Sequence, residues 1–159
     1  EKHWQALAAS NAATAYRSIN ALTSAPEQTI PLLRERVHAV SQPNPQLLAR
    51  LLTDLDSDRF EVREKAMKQI EAIGELAKPA LRKTLAGNPS LEVRRRVEQL
   101  LVSMEPANSP EQLRALRAVE VLEYLGTRQA RQVLETLASG VVEARRTREA
   151  KASLARLAR

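Results

Sequence analysis

The run Asp54-Leu55-Asp56-Ser57-Asp58-Arg59-Phe60-Glu61-Val62-Arg63-Glu64-Lys65-Ala66 continues through Ile70, Ile73 and Gly74 to Pro79-Ala80-Leu81, and its reading decides the fold. Steps of four and three place Ala66, Ile70 and Ile73 on one face of a helix. Gly74 supplies a stop. A second amphipathic helix opens at Glu92-Val93-Arg94-Arg95-Arg96-Val97 and runs to Leu100-Leu101. Two such helices, with a proline-started helix between them, read as one unit of a helical array and the start of the next.

The same spacing recurs outward from this stretch. Ala118, Leu122, Leu125 and Gly126 repeat it after it, and Ala15, Ile19 and Leu22 before it. Val97, Leu101 and Met104 carry it again, as do Ala150, Leu154 and Leu157. A small first residue lets a neighbouring helix approach, and the larger ones fill the layer beyond. The interval from Val97 to Ala118 is too short for a two-helix unit, so the period breaks there. The helix predicted over 110–125 has a wide apolar face, with Leu113, Leu116, Ala118, Val119, Val121, Leu122 and Leu125. Such a helix is expected to be nearly surrounded by others.

Composition agrees with helices throughout. Alanine and leucine, strong helix formers, dominate the 159 residues, while glycine numbers 4 and aromatics make up 3%. The expected class is all-α, in thin helix-on-helix layers. About ten helical segments are predicted, over 1–8, 11–23, 27–39, 44–55, 58–73, 76–86, 90–104, 110–125, 128–138 and 142–158. Short connections force successive helices into hairpins. Ser24 with Glu27, Asn44-Pro45, Asp58 with Glu61, Asn88-Pro89 and Ser109-Pro110 are predicted helix starts. Gly74, Gly87, Gly126 and Gly140 are predicted stops. A single domain over 1–159 is expected, with weak joints at 41–45 and 104–110, where prolines stop one helix and start another. The ends, at Glu1 and at Ala155-Arg156-Leu157-Ala158-Arg159, suggest a piece of a longer protein.

The chain has no cysteine, which removes disulfides and thiolate metal sites. No apolar run approaches the ~20 residues of a membrane span, and no signal peptide is visible. A cytoplasmic setting is expected. Net charge is +6, and the whole excess lies in residues 80–159, with 15 Lys/Arg against 9 Asp/Glu. That asymmetry points toward an acidic partner or a solvated basic face.

From Asp56 to Gly74 the pattern resembles the HEAT-like repeat, with Asp56, Asp58, Val62, Arg63, Ala66, Ile70, Ile73 and Gly74 in the places of its acidic turn, Val-Arg pair, small residue, aliphatics and glycine. Val93-Arg94 and Val97 renew it. The stretches 55–60, 91–98 and 113–123 resemble the helical region of large bacterial WD-repeat proteins, where it lies beside a β-propeller. The resemblance implies a right-handed α-solenoid of about four to five HEAT-like hairpins, serving as a module of a multidomain scaffold. It implies no reaction. Asp58, Arg63 and Arg94 would form a structural ladder between repeats.

The densest charges are Arg94-Arg95-Arg96, and the last helix is the most basic. Arg82, Lys83, Arg95, Arg96, Arg114, Arg117, Arg148 and Lys151 form the candidate basic surface. Arg95, Arg96 and Arg94 sit ~100° apart on a helix, so they fan outward rather than converge. Trp4 is expected in a core or an inter-domain contact, and Tyr16, Phe60 and Tyr124 show no stacking stripe. His3 and His38 lack spaced ligand partners, and the acids at 54, 56 and 58 lack the rest of a calcium loop. No catalytic set, cofactor, metal or small-molecule site is predicted. The expected function is non-enzymatic protein interaction with a partner or a neighbouring domain. The alternative is phosphate-backbone binding of nucleic acid by the basic second half.

Overall fold

The computed structural model describes residues 1–104 and 109–159, and every regular element among them is helical. The helices are α1 (Lys2–Ala6), α2 (Ala12–Thr23), α3 (Pro26–Arg36), α4 (Pro45–Asp54), α5 (Phe60–Ile73), α6 (Lys78–Ala86), α7 (Leu91–Ser103), α8 (Pro110–Leu125), α9 (Arg128–Ala138) and α10 (Arg145–Leu157). A 3-10 turn, Gly74–Ala77, links α5 to α6.

Several helix ends follow from the sequence. Asn44 Oδ1 accepts the amides of Gln46 and Leu47 at 2.9 and 3.2 Å, and Ser109 Oγ accepts that of Gln112 at 3.2 Å. Gly126 closes α8 in the left-handed conformation, φ 58°. Other signals were used differently. Ser24 does not cap α3; its hydroxyl donates back to Asn20 O at 2.8 Å and ends α2. The start of α5 has Arg59 at its cap position and no side-chain cap, so Asp58 does not serve there. Asn88 adopts φ 51°, and the cap of α7 falls to Ser90.

Ser90 does two jobs. Its Oγ accepts the Val93 amide at 3.3 Å and donates to Asp56 Oδ1 at 2.7 Å. Ser90→Ala is therefore expected to lower stability by about 1 kcal/mol in urea titration. A change within a few tenths would mean that neither bond matters to the fold.

The helices form two compact units, Glu1–Ser41 with Asn108–Arg159, and Gln42–Ala107. The first cut lies within the predicted joint at 41–45. The predicted joint at 104–110 falls largely on residues 105–108, outside those described.

In the second unit α4 packs on α5 and α6 on α7, while α4 also lies against α6 and α5 against α7. These are two stacked hairpins. Leu51, Leu55, Ala66, Ile70, Leu81, Val97 and Leu100 form their core, each at most 2% exposed.

In the first unit α8 is the centre, packed against α1, α2, α3, α9 and α10. Its Ala118, Val119, Val121 and Leu122 are fully buried. Of the wide apolar face predicted for 110–125, these four are covered completely, and Leu113, Leu116 and Leu125 only in part. Helices from the start of the chain share this core with helices from its end: α2 lies on α8 and α3 on α9. A strictly sequential stack, in which each hairpin meets only its neighbours, does not make those contacts. The helical class holds; the order of packing in this unit differs from that expectation.

Candidate functional site

In the second unit, charged rungs join α5 to α7. Arg63 Nη1 donates to Ser57 O at 2.6 Å, and its Nε lies 3.7 Å from Glu92 Oε1. Its guanidinium also stands 6.0 Å from the Phe60 ring centroid. Arg96, its side chain only 11% exposed, pairs with Glu64 at 2.8 Å and with Glu92 at 2.7 Å. These bonds hold the Arg96 guanidinium charged even more firmly than usual, with Glu64 the leading cause.

Arg63 therefore joins a ladder, as the sequence suggested. The side chains of Asp58 and Arg94 make no hydrogen bond or ion pair among the described residues; those of Asp56, bonded to Ser90, and Arg96, paired with Glu64, make the corresponding contacts. Arg96 thereby leaves the candidate basic surface. A groove of about 320 Å³ runs beside the rungs, lined by Glu64, Lys68 and Glu71 of α5 and by Glu92, Arg95 and Arg96 of α7. Its signs balance, so it offers no anion a net attraction.

In the first unit, Arg114 and Arg117 are turned inward. Arg117 Nη1 donates to Leu7 O and to Ala9 O, both at 2.6 Å. Carbonyls past a helix end lack intrahelical donors, and a cation suits them by charge as well. Arg114 lies over the Trp4 ring, 5.4 Å from its centroid, and Trp4 is 6% exposed. Both arginines fasten α1 and its following turn to α8. Neither is offered to a ligand.

Arg82 and Lys83 on α6, Arg95 on α7, and Arg148 and Lys151 on α10 are exposed. Their side chains make no hydrogen bond or ion pair among the described residues. Arg82, Lys83 and Arg95 belong to one unit, Arg148 and Lys151 to the other.

The aromatic side chains are arranged in a way the sequence does not reveal. Tyr124 on α8 is 63% exposed, and its hydroxyl donates to Glu120 Oε1 at 3.1 Å. That bond raises the phenol above its ordinary pKa, and Tyr16 adds a smaller push in the same direction. Tyr16, also 63% exposed, is brought near by the packing of α2 on α8. A groove of about 370 Å³ opens beside them between α8 and α10, with Leu116 in its lining.

The far wall of that groove is a network. Arg156 forks onto Glu123 at 2.6 and 2.7 Å and reaches Glu149 at 2.9 Å, while Ser153 Oγ donates to Glu123 at 2.6 Å. The Arg156 bond, with Ser153 behind it, holds the Glu123 carboxyl below its ordinary value of 4.5. A depressed folded pKa means stabilisation that is complete above the unfolded value and lost as pH falls through the folded one. Glu123→Gln is expected to cost about 1 kcal/mol at pH 7. The difference from the unaltered chain should narrow as pH drops below 4.5. A gap independent of pH would show that the charge on Glu123 contributes nothing.

A third cleft, about 580 Å³, lies between the end of α3 and α9. Val37 and Val133 line it, 3% and 4% exposed, with Arg34, His38, Gln132 and Thr136 around them. Among the described residues no group of three His, Cys, Asp or Glu could hold a metal ion. No helix among them is long and apolar enough to cross a membrane. No family model, no curated protein and no solved structure matches this chain.

Proposed function

We propose that this chain is a non-enzymatic protein-interaction module, a scaffold element of a larger protein, whose second unit is a pair of HEAT-like hairpins within a solenoid-type arrangement. The observation that carries the reading is the placement of the aromatic residues. The chain has one Trp, two Tyr and one Phe. Trp4 alone is buried, whereas Phe60, Tyr16 and Tyr124 are 60–63% exposed. Aromatic side chains give a core more apolar area than any other type, and at the surface they are the commonest anchors of protein interfaces. A fold this poor in aromatics that leaves three of them outside its own core suits a partner's surface. The stacked hairpins add an extended helical face of the kind that helical arrays use for binding. The resemblance read in stretches 55–60, 91–98 and 113–123 to the helical region of WD-repeat proteins would fit the same role.

The test is a photoreactive benzoylphenylalanine placed in turn at Tyr16, Phe60 and Tyr124, and at Arg82 and Lys151 as controls, in the cells that make the protein. The reading expects protein adducts at the aromatic positions and none at the controls. Adducts confined to the controls, or none at all three aromatic positions, would overturn it.

A second reading rests on Arg82, Lys83, Arg95, Arg148 and Lys151, whose side chains are exposed and, among the described residues, unpaired, as phosphate-contacting cations require. Arg96, Arg114 and Arg117 are already engaged within the fold, which takes three of the eight candidate cations away from that role.

A further inference from the structure

We propose that the cleft between the end of α3 and α9 receives an acidic segment of the partner protein, an aliphatic side chain resting over Val37 and Val133 and a neighbouring carboxylate reaching Arg34 and His38. The inference rests on the interaction reading above and names the chemistry of the partner.

Shape comes first. Small-ligand and side-chain pockets typically span about 300–1,000 Å³, with apolar walls and a few placed polar groups. This cleft holds about 580 Å³. Its floor is apolar because the chain leaves α3 in extended conformation at Val37, φ −117° and ψ 117°. That brings Val37 and Ala39 alongside Val133 of α9. The extended segment is held in place downstream, where Val141 N donates to Val40 O at 2.9 Å.

Charge then selects the occupant. Among the described residues, the titratable side chains lining the cleft are Arg34 and His38, with no carboxylate. Both are exposed, and neither side chain makes a hydrogen bond or ion pair among the described residues. Gln132 adds an amide at the rim. The surrounding unit carries 14 Lys/Arg against 9 Asp/Glu over residues 1–41 and 108–159, so the wider field favours the same sign of ligand. The contrast with the groove beside Arg96, lined by three acids and three bases, is plain. An apolar floor beneath a guanidinium and an imidazole, whose side chains are unbonded among the described residues, fits a segment in which leucine or valine adjoins glutamate or aspartate. A bare phosphate backbone would leave the floor unfilled.

The test is proton NMR of the whole chain titrated with an eight-residue peptide alternating Glu and Leu, at about physiological salt. The chain has two histidines, and His3, near Ser18 on the α1–α2 side, serves as the internal reference. The His38 ring signals should shift while those of His3 stay. Arg34→Glu, an exposed change, should weaken binding by about tenfold. A peptide with Lys in place of Glu should not bind, and one with Ala in place of Leu should bind weakly. Equal binding by the Lys peptide, an unaltered affinity in Arg34→Glu, or a duplex DNA that moves His38 as strongly would each overturn the proposal. If cross-links form at Tyr16, Phe60 or Tyr124 and the acidic peptide still fails, this inference falls and the interaction reading stands. If both fail, the interaction reading itself is lost.

Discussion

Leu122→Ala is expected to cost about 2–5 kcal/mol, the largest effect of any single change considered. Leu122 is fully buried in the last turn of α8, the helix that meets five others in its unit. Residues from both ends of the chain surround it, among them Ile19, Leu33, Leu134 and Ala150. A cavity opened there cannot be closed by one helix moving, because neighbours on every side are fixed by other contacts. The single tryptophan reports on the same cluster, since Trp4 belongs to it. Urea unfolding followed by Trp4 fluorescence should show the midpoint fall with little change in slope. A shift corresponding to less than about 1 kcal/mol would mean that α8 is not the centre of that core.

Gly140→Ala is the second. Its effect does not come from backbone freedom, because Gly140 has no positive φ. It comes from space. A Cβ there would lie 2.7 Å from Thr147 Oγ1, 2.8 Å from Val40 N and 3.1 Å from Val40 O. Two of these three atoms are backbone, and Thr147 is fully buried. The methyl group can be housed only by pushing the extended segment off the turn between α9 and α10, which breaks the Val141–Val40 hydrogen bond. The expected loss is about 1–3 kcal/mol, with faster amide exchange at Val141. Gly87→Ala is the control: its Cβ would meet only Thr84 O at 3.4 Å and Lys83 O at 3.7 Å, which is ordinary contact. Gly140→Ala that melts like the control would contradict the close approach.

Much of this fold could be read from residue order, and the reasons are local. The steps from Ala66 to Ile73 and from Ala118 to Leu125 mark buried faces because a helix repeats every 3.6 residues whatever it packs on. The bounds of α8 and α9 match the predicted 110–125 and 128–138. Where prediction overran, the backbone leaves the helical conformation early or enters it late. The predicted helix 27–39 stops at Arg36 because Val37 turns extended, and 142–158 starts late because Ala144 takes the cap position of α10.

What periodicity cannot supply is the partner of a buried face. Ala15, Ile19 and Leu22 announce a face, yet nothing in their spacing says that it meets α8, a hundred residues on. The same blindness misplaced the site residues. On a helical wheel Arg114 and Arg117 look like surface charge; only the fold brings Trp4 and the carbonyls of Leu7 and Ala9 beneath them. Arg94 and Arg96 differ by two positions, and which one meets Glu64 depends on how α7 is rotated against α5. Tyr16 and Tyr124 are neighbours only because α2 packs on α8. The cleft with Arg34 and His38 carried no motif, and its one sequence signal was the absence of acids near His38 on the extended segment.

On the proposed interaction role, the exposed aromatic side chains and the cleft beside Arg34 form the binding surface, and Arg95 and Arg148 do not serve a phosphate backbone. The most direct test is fluorescence anisotropy of a labelled DNA duplex, and of a single strand, titrated with the whole chain at ~50 and ~200 mM salt. The account predicts no micromolar binding at the higher salt and only weak, sequence-blind binding at the lower. Micromolar binding at ~50 mM that collapses by ~200 mM, and disappears in Arg95→Glu or Arg148→Glu, would contradict it and make the basic side chains the functional surface.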